Sequence, residues 1–319
     1  MFSASWSAPT VRSTLSTRVN DAPSVDWAVD RAAIDHALTA LSDRLNTDIE
    51  PAVGEAIRYS LLGGGKRLRG LLFLAAYRTA GGTDDASAVA AVAAAIEVVH
   101  AYSLVHDDLP CMDDDDMRRG RATVHRVFGV RVAMAAGVAM VPLAASAGFA
   151  AARELGLSDD VCSTVVAMLM RASGAGGMIG GQLLDLDGEG RPLSLAELER
   201  IHRAKTGALI SASIELGGLT ALADQNQMAA LSAFGQAIGL AFQIADDVLD
   251  VTATTDRLGK TAGRDLDLHK STYPALLGIG GARERANALV AEGCAALRSA
   301  KLLSTELDAL ARFVVERDS

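Results

Sequence analysis

Two aspartate clusters, each placed at the end of an apolar, helix-forming run, constrain this chain more than any other feature. The first follows Ser103-Leu104-Val105-His106 and runs from Asp107 to Asp113; the second follows Ala241-Phe242-Gln243-Ile244-Ala245 and runs from Asp246 to Asp250. Taking an unpaired carboxylate out of water is costly, and clustered carboxylates raise one another's pKa values. A cation is therefore expected between the clusters. Magnesium takes oxygen ligands, keeps several waters and bridges one or two carboxylates to substrate phosphates. Either cluster alone reads equally well as a solvated helix end, but two of them beside hydrophobic helices point to a metal-diphosphate site.

Spacing sharpens this reading. Asp246 and Asp250 lie four residues apart and so share one helix face. Asp107 and Asp113 lie six apart, with Pro110 between them, where a regular helical hydrogen-bond ladder cannot continue. The helix is expected to end or bulge there, letting Asp113 swing back toward Asp107.

The chain has 319 residues, half of them hydrophobic, and a formal net charge of -9. That length admits one large helical domain or two ordinary ones. With no basic surplus to neutralise a phosphate backbone, nucleic acid is excluded as a partner. Cys111, Cys162 and Cys294 lie far apart and form no Cys-x-x-Cys pair, which fits neither a disulfide framework nor a zinc site and suits a reducing, cytoplasmic setting. Residues 132–152 carry no charge and are long enough to span a bilayer. They are nevertheless built from Ala, Gly and Val and interrupted by Pro142, so the reading is an Ala-rich buried helix at a subunit interface, with no membrane span. Residues 1–20 are rich in Ser and Thr, contain Arg12 and Arg18, and lack acids, loosely like a transit peptide. A disordered tail over residues 1–25 is the reading adopted, leaving residues 26–319 as a single domain.

Beyond the tail the pattern is helical almost throughout, with Ala, Leu, Glu and Arg dominant and only seven prolines. Helices are expected over Ala28–Leu45, Ala86–His106, Leu195–Ala223 and Gln227–Val251, with glycine clusters marking turns. The expectation is an all-α fold: a single large helical bundle with a central apolar cavity and the site among its central helices.

Cations stand where such a site needs them. Gly63-Gly64-Gly65-Lys66-Arg67-Leu68-Arg69 places them after a glycine turn, without the spacing of a P-loop. Arg offers a planar fork for phosphate oxygens and Lys a mobile point charge. Arg118-Arg119-Gly120-Arg121 follows the first acidic cluster, where it either neutralises the acids or clamps an anion beside them. Lys205-Thr206-Gly207 and Leu258-Gly259-Lys260 are weak signals taken singly.

Together these motifs resemble the trans-isoprenyl diphosphate synthases, the farnesyl/geranylgeranyl diphosphate synthase family, from about Glu55 to the C-terminus. The resemblance comprises Gly64 to Arg69, His100 to Gly120, Gly180-Gly181-Gln182-Leu183-Leu184-Asp185, Lys205-Thr206-Gly207-Ala208-Leu209, Gly239 to Asp250, Leu258-Gly259-Lys260 and Thr272-Tyr273-Pro274-Ala275-Leu276, in family order and spacing. It implies an isoprenoid-synthase-type fold and a homodimer. It also implies that Asp107 and Asp113, with Asp246 opposite, bind Mg2+ ions holding an allylic diphosphate, supported by Asp108, Asp247 and Asp250. Arg118, Lys205 and Lys260 would contact that diphosphate, and Lys66, Arg69, His100 and Arg119 would hold isopentenyl diphosphate. Thr206 and Gln243 would lie near the ionising carbon, with Lys205 the third of the catalytic set. His106 has no implied role and reads as structural.

The implied reaction is condensation of isopentenyl diphosphate with allylic diphosphates (dimethylallyl, geranyl) by metal-assisted ionisation, the departing diphosphate serving as base. Product length should follow from where the apolar tunnel below Asp107 is blocked. Tyr102 and Ser103 lie about one turn before Asp107. A bulky Tyr102 there, with the two-residue insertion in the first cluster, favours farnesyl over geranylgeranyl diphosphate. A terpene cyclase would not need the second cation set, Lys66 and Arg69. A non-catalytic synthase subunit would show eroded clusters, and these are intact. Four positions depart from the family pattern: Gly70 and Ala122 stand where Pro is usual, Val138 where Asp is usual, and Pro142 falls within the next helix. All lie outside the inferred metal shell and bear on packing or subunit contact.

Overall fold

A computed structural model describes residues 26–45, 49–252 and 271–317. Lys260 and the residue 1–25 segment lie outside the described residues. Thirteen α-helices account for most of what is described: α1 (Ala28–Arg44), α2 (Pro51–Leu61), α3 (Leu68–Thr79), α4 (Ala86–Asp107), α5 (Val124–Phe128), α6 (Val130–Glu154), α7 (Asp159–Ser173), α8 (Met178–Gly188), α9 (Leu195–His202), α10 (Ala208–Thr220), α11 (Gln225–Thr252), α12 (Tyr273–Ser299) and α13 (Thr305–Glu316). The all-α expectation holds. Most of the buried apolar side chains form one contiguous cluster running from Ile34 to Val314.

α4 is central because its sequence leaves it no polar face over most of its length: Val89 to Val99 are almost all buried, on every side of the helix. A helix apolar all round must be enclosed by others; α1, α3 and α6 pack around it. Its N-terminus is capped by Asp85, whose carboxylate accepts from the Ser87 N–H. Its C-terminus is the first aspartate cluster. The helix stops at Asp107, and after a short turn through Pro110 the Asp113 N–H donates to the Asp107 carbonyl at 2.8 Å. Asp113 thus returns to Asp107, as its spacing predicts.

Three local features depart from the expected helices. Arg203–Gly207 forms a π-helical turn between α9 and α10, where a continuous helix was expected. Two-residue strands, β1 (Met117–Arg118) and β2 (Arg121–Ala122), pair antiparallel around Arg119 and Gly120. Both turn residues have positive φ, 53° and 73°, the geometry that matches strand twist in two-residue hairpins. Finally, α6 runs through Pro142 without ending and is buried along one stripe only, from Ala133 to Ala152. The expected buried helix is half buried: Met134 and Val138 are 49% and 65% exposed. Among the described residues, four stretches (α4, α6, α7 with α8, and α11) are long and apolar enough to cross a membrane by length and composition.

Candidate active site

Between the C-terminal ends of α4 and α11 lies a cavity of about 420 Å³. Both aspartate clusters contribute to it: Asp107 and Asp113 from one wall, Asp246, Asp247 and Asp250 from the other. Lys66, Arg69, His100, Ser103, Arg118, Arg119, Lys205, Thr206 and Gln243 line the same cavity. Asp108 and Tyr102 do not line it. Asp108 is turned to a smaller pocket beneath and is held by Arg118, whose Nε donates to it at 3.0 Å. The Tyr102 ring is buried edge-on against His106, 5.1 Å between centroids. His106 in turn lies over Gly137 of α6, where a Cβ would come within 2.1 Å of its Nε2.

The aspartates differ in engagement. Asp107 is pushed up to about 6, first by burial and then by Asp113, against the pull of Lys205. Asp250 is buried with Oδ2 unpartnered. Asp246 accepts from Arg317 at 2.6 Å, and the guanidinium also stacks on Phe242 at 3.8 Å. Asp247 is fully committed: His202 Nε2 lies 3.1 Å from it, and it accepts from Gln243 Nε2 at 3.1 Å and from the Tyr273 N–H at 3.0 Å. In this arrangement the expected supporting carboxylates are engaged by protein groups, Asp108 by Arg118 and Asp247 by His202, Gln243 and the Tyr273 N–H.

The cation walls rest on backbone that other sequences would not tolerate. Arg67 and Arg119 have positive φ, 52° and 53°, a costly conformation for a residue with a Cβ that tends to persist where function requires it. Arg119 reaches back to the Gly64 carbonyl and to His100. Gly65 has a φ of 145°, which a residue with a Cβ rarely adopts, and a Cβ there would lie 2.6 Å from the Arg119 guanidinium. Gly70, where the family has Pro, donates its N–H to buried Glu97 at 3.0 Å, a bond no proline makes. Burial, and then the surrounding arginines, drive the His100 pKa well down, leaving it neutral; burial also lowers Arg69 to about 10. Lys205 pairs with Asp185 at 2.6 Å. Burial alone would lower its pKa, but Asp185, Asp107 and Asp113 together raise it.

Lys205 and Thr206 sit on the π-helical turn. Such turns recur at functional sites, and here glycines admit it: a Cβ on Gly181 would lie 2.2 Å from the Lys205 nitrogen, and one on Gly239 would lie 2.8 Å from the Gly207 Cα. Arg317, Asp185, His202 and Tyr273 were missed by sequence reasoning. Asp185 and Tyr273 lay inside recognised motifs, and His202 stands three residues before Lys205; Arg317 carried no signal beyond its charge.

Among the described residues no three His, Cys, Asp or Glu side chains converge into a ready metal cage. The donors nevertheless fit a cation shared with a phosphate ligand. They are carboxylates only, set on opposite walls, one with an orphaned buried oxygen, and such ions are held through one or two carboxylates plus substrate phosphates.

An all-α chain with two carboxylate walls and two groups of phosphate-seeking cations in one cavity defines a diphosphate-handling enzyme. Residues 50–300 match the polyprenyl synthetase family, and the chain belongs to it. It is 46% identical over 271 residues to the farnesyl diphosphate synthase of Escherichia coli K12, covering 83% of this chain and 89% of that one. It is 43% identical over 282 residues to a chloroplastic geranylgeranyl pyrophosphate synthase of Catharanthus roseus, covering 88% of this chain and 78% of that one. Among solved structures, a geranyltransferase from Helicobacter pylori complexed with magnesium and isoprenyl diphosphate superimposes with a TM-score of 0.73 at 31% identity, covering 90% of this chain and 96% of that one.

Proposed function

We propose that the chain condenses isopentenyl diphosphate with dimethylallyl and geranyl diphosphates, using Mg2+, to give farnesyl diphosphate. The observation that carries this is the convergence of Asp107 and Asp246 on one cavity with Lys66, Arg69, Arg118, Arg119 and Lys205. Bound magnesium would neutralise the charge that develops on a leaving diphosphate. Arg118 and Lys205 add to that neutralisation from fixed positions, where preorganised charge is most effective. The allylic carbon–oxygen bond breaks with its electron pair leaving on diphosphate. The isopentenyl double bond then forms the new carbon–carbon bond, and the resulting cation loses a proton to a diphosphate oxygen. Lys66, Arg69, Arg119 and neutral His100 hold the second diphosphate, and burial of the apolar lining keeps water from the cation. Lys260 is assigned to the allylic diphosphate by its motif alone.

Product length is assigned to the turn of α4 before Asp107, where Ser103 lines the cavity and Tyr102, outside that lining, packs edge-on against His106. Purified protein given isopentenyl and dimethylallyl diphosphates with Mg2+ should yield mainly the fifteen-carbon diphosphate, and Tyr102→Ala should lengthen it. A mainly twenty-carbon product from the unaltered chain overturns this assignment.

A homodimer is part of the same proposal. Val130, Met134 and Val138 of α6 are 40–65% exposed, and an exposed apolar helix face fits a self-complementary contact. A cytoplasmic location is proposed on the three free cysteines, Cys111, Cys162 and Cys294.

A further inference from the structure

Two glutamines line the catalytic cavity, and they are in opposite conditions. Gln243 is spent: its Oε1 accepts from the Thr206 hydroxyl at 2.8 Å, and its Nε2 donates to Asp247 at 3.1 Å. Gln182 is only 6% exposed, yet neither its Oε1 nor its Nε2 has a hydrogen-bond partner. A buried amide left unsatisfied is expensive, and most buried polar groups in folded proteins are paired. A group kept this way inside an active-site cavity is expected to be answered by a ligand.

Its place along α8 says which part of the ligand. Met178, Gln182 and Asp185 fall at i, i+4 and i+7, so they form one stripe, and all three line the cavity. Asp185 marks the phosphate level, because it holds Lys205 at 2.6 Å. Gln182 lies about 4.5 Å along the helix axis from Asp185, and Met178 about 6 Å further. The stripe therefore runs from ion pair through amide to thioether, the order in which an allylic diphosphate presents its phosphates, its ionising carbon and its hydrocarbon. Gly181 presses α8 onto the Lys205 backbone, so this register cannot slide.

We propose that Gln182 is a further catalytic residue: its amide oxygen faces the carbon from which diphosphate departs, and its NH2 group faces the departing oxygen. A fixed carbonyl dipole toward an allylic cation stabilises charge that exists only after ionisation, so it acts on kcat more than on KM. The inference rests on the prenyl-transfer reading of this cavity.

The test is Gln182→Met, close in volume and without polar atoms, with Gln182→Leu as a second variant. Each is compared with the unaltered enzyme on geranyl diphosphate, isopentenyl diphosphate and Mg2+. The expected result is a kcat lower by about tenfold or more, a KM for isopentenyl diphosphate little changed, and a Tm of the ligand-free protein raised by about 2–4 °C. A slower but more stable enzyme is what removal of an unsatisfied functional amide produces. Variants with unchanged kcat, or with kcat and Tm falling together as for a structural amide, overturn the proposal while leaving the prenyl-transfer reading intact. An unaltered protein that turns over neither substrate overturns both.

Discussion

Asp107 and Asp246 face the same cavity in different electrostatic conditions. Asp246 is met by Arg317, whereas Asp107 is held near a pKa of about 6 by burial and by Asp113, despite Lys205. This has a consequence for the metal-free protein. The folded-state value lies above the ordinary aspartate value of 3.8, so the native state holds that proton more tightly than the unfolded chain. The stabilisation is complete below about pH 4 and is lost as pH rises through 6. Asp107→Asn cannot titrate. In urea unfolding with chelator present, it should gain on the unaltered protein between pH 4.5 and 8 by on the order of 2 kcal/mol. A pH-independent difference would show that Asp107 is not strained in this way. The candidate residues were legible as types and spacings, and nearly all reach the cavity. Their commitments were not: that Asp108 binds Arg118, that Asp247 is filled by His202, Gln243 and Tyr273, and that Arg317 occupies Asp246 are facts of tertiary distance.

At the scale of elements, long helices were readable because α4 and α11 are built from residues that favour helix and bury well. The π-helical turn was not. A one-residue slip in backbone hydrogen bonding leaves composition and periodicity almost untouched, and what licenses it is space beside Gly181 and Gly239 on neighbouring helices. The β1–β2 hairpin escaped for a similar reason, since two-residue strands are too short to alternate; only Arg119-Gly120 hints at the turn. The glycine contact can be tested. Gly181→Ala places a Cβ against the Lys205 backbone, where relief requires backbone movement rather than a rotamer change. It should destabilise by about 1–3 kcal/mol and lower kcat/KM for the allylic diphosphate at least about tenfold, read from denaturant unfolding and steady-state kinetics. Activity retained at full stability would mean that the turn does not position Lys205.

For the whole molecule, enclosure of α4 follows from its sequence, but the exposed side of α6 does not. Its Ala, Gly and Val pattern reads as buried, and a single chain covers only one stripe of it. Its buried edge also bears on the site, since His106 rests on Gly137 and carries Tyr102 against it. If a second copy covers the open face, Val138→Glu should shift the species measured by light scattering from dimer to monomer. An unaltered chain that is monomeric at micromolar concentration would contradict that.

The convergence of the two aspartate walls on one diphosphate is the claim on which the rest depends. It is tested most directly by crystals grown with Mn2+ in place of magnesium and an unreactive allylic diphosphate analogue. Anomalous scattering should place metal ions between the analogue's phosphates and Asp107, Asp113 and Asp246. Manganese confined to one wall, or absent while the analogue is bound, would contradict the account.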